Sequence, residues 1–497
     1  MLITILVYLA AMVGIGAVLA KQNQTTDDFY LGGRTLGPLV TAMSAEASDM
    51  SSWLLMGLPG VAYLSGTADA AWTAIGLAIG TYVNWLVVAK RLRNYTHVCG
   101  NSTTLPLFFS NRYRDNKRIL SVIAALLIII FFVPYTASGF AACGKLFANL
   151  FGMDYLPAML ISAIVIVAYT TLGGFLAAST TDFVQSIVMT IAIVVVFGFG
   201  ISKVGSFSAV MDNAKSMAGY FSLTHTHDVA TGTASPYSLL QIFSTLAWGL
   251  GYFGMPHVLL RFMAIGDANK LKLSRRVATV WVVISMAVSV FIGVIGNAMT
   301  KAGVLPTLKD PETIILVVAD LISKHGVLAT IIAGLILAGI LAATMSTADS
   351  QLLAASSSAS QNILKEVFMK DMSEKTGMLI ARITVLVIAL IGVFIARNPD
   401  SSVFQIVSFA WAGFGASFGP LVLLALFWKR STFQGALCGM VSGGVMVFVW
   451  KFLIRPMGGA LGIYELLPAF LLGLAVNVIV SLLTPAPSKE VQDEFDK

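Results

Sequence analysis

Long apolar runs, interrupted by short polar stretches, recur from one end of the chain to the other. Each is roughly 18–25 residues long, the length a helix needs to cross the hydrocarbon core of a bilayer. Thirteen such spans are predicted, at 1–20, 37–63, 68–90, 118–149, 155–173, 181–202, 237–255, 275–299, 326–364, 377–396, 402–428, 434–454 and 464–484. A membrane barrel would show short alternating segments instead. The pattern therefore predicts an all-α polytopic membrane protein. The run at 1–20 has no basic n-region and reads as a retained helix rather than a signal peptide.

Two runs are broken by Gly and Pro. The second contains AEASDMSSWLLMGLPG (45–60), and the seventh leads into AWGLGYFGMPHVLLRFMA (247–264). Broken helices five spans apart are the signature of two inverted five-helix repeats whose sites meet at the midplane. One transporter domain over 1–497 is then expected. It divides into an extra helix and loop (1–36), a first repeat (37–200), a second repeat (237–428), two further helices (434–484) and a cytoplasmic tail (485–497). The acidic EVQDEFDK (490–497) is expected to be disordered.

Composition supports the membrane class. Of 497 residues, 57% are hydrophobic and 11% are charged, against about a quarter charged in soluble domains. The net charge of +7 is explained by topology rather than by nucleic acid. Lys90, Arg91, Arg93, Arg112, Arg114, Lys117 and Arg118 share one loop, and Arg261, Lys270, Lys272, Arg275 and Arg276 another. Lys365, Lys370, Lys375 and Arg382 mark a third, and Lys429 and Arg430 a fourth. With thirteen spans all four lie on one side, so the positive-inside rule puts the N-terminus outside and the C-terminus in the cytoplasm. Three scattered cysteines suggest neither disulfides nor a metal cluster. His225, His227 and Asp228 fall in an outer polar loop and read as solvated. P-loop and HExxH patterns are missing, and the GxSxG spacing at 415–419 falls inside the apolar span 402–428, so ATP-driven pumping and hydrolase chemistry lack support.

Charge inside a bilayer is costly and calls for a reason. Asp49, between Ser48, Ser51 and Ser52, suits a helix that unwinds and frees carbonyls for a cation. Glu46 is expected to face a cytoplasmic vestibule. In LAATMSTADSQLL (341–353), Ala343, Ser346, Thr347 and Ser350 share a helix face, with Asp349 close by. Their oxygens suit a small hard cation, although small residues also let helices approach closely. Trp248, Tyr252 and Phe253 accompany the second break and can shield a small-molecule pocket. Asp182 reads as complementing a helix N-terminus, Lys145 as snorkelling to the outer interface, and His257 and Arg261 as cytoplasmic structure.

At these motifs the chain resembles the sodium/solute symporter family, and its proline branch in particular. The likeness runs nearly end to end. It is carried by FYLGGRTLGP (29–38), ASDMSSWLLMGLPG (47–60), AWGLGYFGMPH (247–257), MSTADSQLL (345–353) and WKRSTFQGALCGMVSGG (428–444). The resemblance implies a leucine-transporter-like 5+5 inverted-repeat core and sodium-coupled uptake of L-proline across the bacterial inner membrane. It implies no cofactor, only Na+ as coupling ion, with L-proline and the lipid bilayer as partners. By resemblance, the carbonyls of Ala47, Met50 and Ala343 and the hydroxyls of Ser346 and Thr347 hold sodium. Asp49 and Arg34 serve coupling. Ser51, Ser52, Tyr135, Trp248, Tyr252 and Pro256 match positions implicated in substrate binding and gating. Counterparts of a second sodium site would be Asp182, Ser346, Asp349 and Ser350, and that site is expected to be at least partly formed.

The alternative within the class is a sodium- or proton-coupled symporter of another small solute. A channel would not need two gated half-helices. A membrane enzyme would need a nucleophile–base pair or a metal cluster, which the sequence lacks. No sequence feature specifies an oligomeric state.

Overall fold

Residues 1–20, 25–368, 372–398 and 402–496 of the protein are described by a computed structural model. Lys370, counted above among the basic residues of the third loop, lies outside them.

The chain begins with α1 (Leu2–Ala20) and a short α2 (Thr26–Leu31). The first broken helix follows, as α3 (Pro38–Ser52), a π-helical turn at Trp53–Gly57 and α4 (Leu58–Ser65). Next come α5 (Thr67–Val83) and α6 (Ala89–Val98), which form one continuous rod, then α7 (Leu105–Arg112) and α8 (Ile119–Phe151). Helix α9 (Tyr155–Val204) is 50 residues long but is interrupted at Gly174. There φ is 64° and ψ −177°, a conformation that glycine adopts without steric cost. After α10 (Phe207–Ser216), a small hairpin pairs β1 (His225–His227) with β2 (Ala234–Pro236).

The second broken helix is α11 (Leu239–Leu246), a 3-10 segment at Ala247–Phe253 and α12 (Pro256–Ala264). It is followed by α13 (Leu271–Lys301), α14 (Ile314–Ser323) and α15 (Val327–Ser357). The chain ends with α16 (Glu374–Ala396), α17 (Val403–Phe427), α18 (Phe433–Val449), α19 (Leu466–Leu483) and α20 (Lys489–Phe495).

Among the described residues, ten helices are long and apolar enough to cross a membrane. The expected thirteen are therefore not present as thirteen intact helices. Predicted spans 37–63, 155–173 and 237–255 correspond to the two broken helices and to the first part of α9. Outward-facing side chains such as Ile3, Leu390 and Leu482 are exposed and apolar, as a lipid-facing surface requires.

Helix α15 is the centre of the molecule. It is buried from Ala333 to Ser357 except at one position, and packs along α9, α3 and α8. Helix α13 supports α4, and α17 lies against α8 and the 3-10 segment of the second break. Close approach there depends on glycine. A Cβ on Gly80 would lie 2.4 Å from the carbonyl oxygen of Gly249, and one on Gly249 would lie 2.3 Å from that of Gly76.

The expectation of a disordered tail is corrected. Helix α20 buries Val491 and docks against α6 and α7. Arg91 and Arg112 stack on the Phe495 ring, and the Arg91 guanidinium donates to the Phe495 carbonyl. Glu494 meets Arg114 at 2.7 Å, and Asp496 meets Lys429. The reading failed because acidic composition hid two apolar residues, Val491 and Phe495, spaced to share one helix face.

Candidate functional site

The first break is sharp. Ser51 has φ 46° and ψ −173°, a left-handed conformation that costs a non-glycine residue energy. Its hydroxyl compensates locally by accepting from the amide of Trp53 at 3.0 Å. Ser289 of α13 donates to the Leu54 carbonyl and so satisfies one group released by the irregular turn. The second break runs through Ala247–Phe253, and Pro256 restarts the helix at the first turn of α12, where its missing N–H is harmless.

Asp49 lies where the two breaks meet and is buried. Its Oδ2 accepts from the Tyr252 hydroxyl at 2.7 Å, and its backbone carbonyl accepts from the Tyr135 hydroxyl at 3.1 Å. Nε2 of His257 lies 4.0 Å from Oδ1. Among the described residues, Oδ1 of Asp49 and the Ser52 hydroxyl have no hydrogen-bond partner.

Two residues before Asp49, the carbonyl of Ala47 accepts from the Ser346 hydroxyl of α15 at 2.8 Å. Ser346 and Thr347 also reach the Ala343 carbonyl, at 3.2 and 3.1 Å. The four residues Ala47, Ala343, Ser346 and Thr347 thus gather oxygens from two helices. Met50 is buried on α3, and its carbonyl accepts from the Trp53 amide in the broken turn.

Aromatic rings cover this region. Trp248 stacks on Tyr464 with ring centroids 5.1 Å apart, and lies 5.5 Å from Trp53 and 5.6 Å from Phe404. Trp411 donates to the Trp248 carbonyl at 2.8 Å. Trp248, Phe404 and Tyr464 also line a cavity of about 290 Å³, shared with Asp69, Tyr237 and Arg455.

Asp182, Asp349 and Ser350 are brought together, but with an unexpected partner. Arg261 of α12 is 1% exposed, and its Nη2 lies 3.2 Å from Asp182 Oδ2 and 2.5 Å from the Ser350 hydroxyl. Arg261 and His257 are therefore core residues, not cytoplasmic loop structure. Asp182 does not serve a helix N-terminus: it sits eight residues after the Gly174 break, fully buried. Two further expectations are corrected. Lys145 does not snorkel; it is buried and pairs with Glu312 at 3.0 Å and Asp310 at 2.8 Å. Glu46 faces no vestibule but accepts from the indole of Trp85 at 2.9 Å, deep in the bundle.

Arg34 stands apart from the midplane cluster. It donates to the carbonyls of Met263 and Ser102, both at 2.7 Å, and so ties the chain before α3 to the end of α12. Backbone bonds between Leu36, Ala264 and Gly266 run alongside. His225 and His227 lie in the small hairpin, and no cluster of metal-ligating side chains occurs among the described residues.

The geometry resolves into two broken helices, a carboxylate between them and an oxygen cluster shared with α15. The sodium:solute symporter family model matches residues 29–443. The osmoregulated proline transporter OpuE of Bacillus subtilis is 40% identical over 489 residues, 98% of this chain and 96% of its own length. The sodium/proline symporter of Escherichia coli is 41% identical over 500 residues, 100% of this chain and 95% of its own. Among solved structures, a Na+-coupled sialic acid symporter in a substrate-bound outward-open state superposes with a TM-score of 0.79 at 18% identity, covering 98% of each chain. MhsT in complex with L-phenylalanine gives 0.56 at 12% identity, covering 90% of this chain and 99% of its own. The chain belongs to the sodium:solute symporter family, a family of multi-pass membrane transporters and not of enzymes, and it has the leucine-transporter-like fold.

Proposed function

We propose that this protein is a secondary active transporter that takes up L-proline with sodium across a bacterial cytoplasmic membrane by alternating access. The names of the bacterial relatives supply cargo and ion. The observation that carries the reading is the meeting of the Ala47 carbonyl with the Ser346 hydroxyl, beside Ala343 and Thr347 and within one turn of Asp49. Oxygen donors from an unwound turn and a facing helix are what sodium requires.

In this reading the carbonyls of Ala47, Met50 and Ala343 and the hydroxyls of Ser346 and Thr347 ligate sodium. Ser51, Ser52, Tyr135, Trp248, Tyr252 and Pro256 form the L-proline pocket, and Asp49 joins the two. Arg34 closes the cytoplasmic side through Met263 and Ser102. The N-terminus lies outside and the C-terminus inside, so the cavity over Trp248 opens outward. The repeats span 37–200 and 237–428. Bound sodium favours the state with a completed pocket, which is coupling by differential affinity. One charge moved across 100 mV and a tenfold sodium gradient together supply about 3.7 kcal/mol, enough for an L-proline gradient of about 500-fold.

A second reading, coupling to protons, draws on four buried acids: Glu46, Asp49, Asp182 and Asp349. Uptake of radiolabelled L-proline into proteoliposomes separates the two. Sodium-driven accumulation that fails in choline and in Asp49→Asn supports sodium coupling. Accumulation driven by a pH gradient without sodium replaces it with the proton reading, and no L-proline uptake in any medium reopens the cargo.

A further inference from the structure

Helix α13 enters the bundle with charge on the side that does not pack. Lys272, Arg276, Val280 and Ile284 recur every four residues and form one ridge along the helix. All four are exposed. The ridge changes character along its length. Two cations stand at the loop end, and two apolar side chains follow towards the middle of the span. The neighbouring Arg275 is engaged, lying over the Tyr82 ring at 5.5 Å. Among the described residues, Lys272 and Arg276 have neither an ion pair nor a hydrogen bond.

From Arg276 onward, this ridge is one wall of a groove of about 500 Å³. Helix α9 supplies the facing wall through Ile193 and Val194, and Met43 of α3 adds to the lining. The Trp281 indole donates to the Thr190 hydroxyl at 2.9 Å and so joins α13 to α9. The Thr190 and Ser285 hydroxyls donate to carbonyls within their own helices. Of the described residues that line the groove, Arg276 alone is charged. Between Arg276 and Ile284 the helix rises about 12 Å, against about 15 Å of hydrocarbon in one leaflet.

A lipid-facing groove with charge at the interface and apolar walls below it has the shape of a phospholipid. An acyl chain gains little by leaving bulk lipid for such a groove, because the two are equally apolar. The groove therefore sets the place of binding, and the choice among lipids falls to the two cations. They favour a headgroup of net negative charge.

We propose that the groove between α9 and α13 is a binding site for one anionic phospholipid, with its phosphate on Arg276 and Lys272 and an acyl chain along Val280 and Ile284. On the orientation proposed above, the headgroup lies in the cytoplasmic leaflet. The chain packs on Met43, one helical turn before Ala47 on α3. The bilayer thereby touches the helix that carries two of the proposed sodium ligands.

Native mass spectrometry of the purified full chain tests this, with phosphatidylglycerol and phosphatidylcholine of the same acyl chains as probes. Wild-type protein is expected to retain one phosphatidylglycerol about 30-fold more tightly than phosphatidylcholine, at about fivefold for each cation. Arg276→Gln should lower that preference about fivefold, and Lys272→Gln with Arg276→Gln should abolish it. Val280→Trp fills the groove and keeps both cations; it should expel both lipids. Lys117→Gln with Lys365→Gln removes two cations from other loops and should leave the preference unchanged. Equal retention of the two lipids by wild-type protein, or an equal loss of preference in the Lys117 and Lys365 control, overturns the proposal in favour of diffuse surface charge. A Val280→Trp protein that keeps its phosphatidylglycerol overturns it as well, because the headgroup is then held without the groove. None of these readouts uses L-proline or sodium, so failure of the transport reading and failure of the lipid site are distinguishable.

Discussion

Asp49 accepts from Tyr252 on its carboxylate and from Tyr135 on its backbone carbonyl, and each bond makes a separate claim. Tyr252→Phe removes the donor to Oδ2 and changes little else. A hydrogen bond to a charged group is worth about 1.5–3 kcal/mol, so L-proline uptake should show a roughly 10- to 100-fold loss in kcat/KM. An unchanged value would show that the Tyr252 bond plays no part in transport. Lys145 offers a test of stability. A snorkelling lysine could become methionine at almost no cost, whereas the observed ion pair with Glu312 makes Lys145→Met destabilising by about 3 kcal/mol. Thermal unfolding in detergent distinguishes the two, and a melting temperature equal to wild type would refute the paired role. Asp49, Ser346 and Thr347 were legible in the sequence because polar groups within apolar runs are conspicuous. Arg261 was not, because it follows a Gly- and Pro-broken stretch and precedes four cations that do lie outside the core, Lys270, Lys272, Arg275 and Arg276. Burial inside a helix of nine residues cannot be told from a loop by charge alone.

The two broken helices could be located in the sequence because Gly, Pro and Ser interrupt apolar runs there, and both breaks are found close to the expected positions. What the pattern could not give was the pairing between elements. Gly249 looked like part of a break; in the structure it is also a contact, facing Gly76 and Gly80 of α5. Gly249→Ala should therefore cost about 1–3 kcal/mol by overpacking and lower the melting temperature, even though alanine is the better helix former. A more stable variant would mean that the break, not the contact, sets the residue. The interruption of α9 at Gly174 was read as a boundary between two spans, which is how a single left-handed residue looks when only hydropathy is visible.

For the molecule as a whole, the proposed orientation can be checked without transport. In a Cys438→Ser background, the remaining Cys99 and Cys143 are buried. A cysteine at Thr231, in the exposed turn of the hairpin, should react in intact cells with a membrane-impermeant maleimide. One at Lys272 should react only after permeabilisation. The reverse pattern would invert the topology. The proposed orientation rests on loop charge, since lysine and arginine concentrate at alternate ends of the spans. At the driving forces above, one sodium limits accumulation to about 500-fold, and two would raise that limit to about 2 × 10⁵-fold.

The stacked rings around Trp248 carry an optical consequence. The chain has eight tryptophans, and three of them, Trp53, Trp248 and Trp411, stand in one cluster over the first break, with Trp248 centred 5.5 Å from Trp53 and 6.2 Å from Trp411. Indoles this close exchange excitation and quench one another, so a small rearrangement of the ring cluster changes the emission of the whole protein. Intrinsic fluorescence is therefore a built-in reporter for events at this site, readable in a cuvette with no label attached.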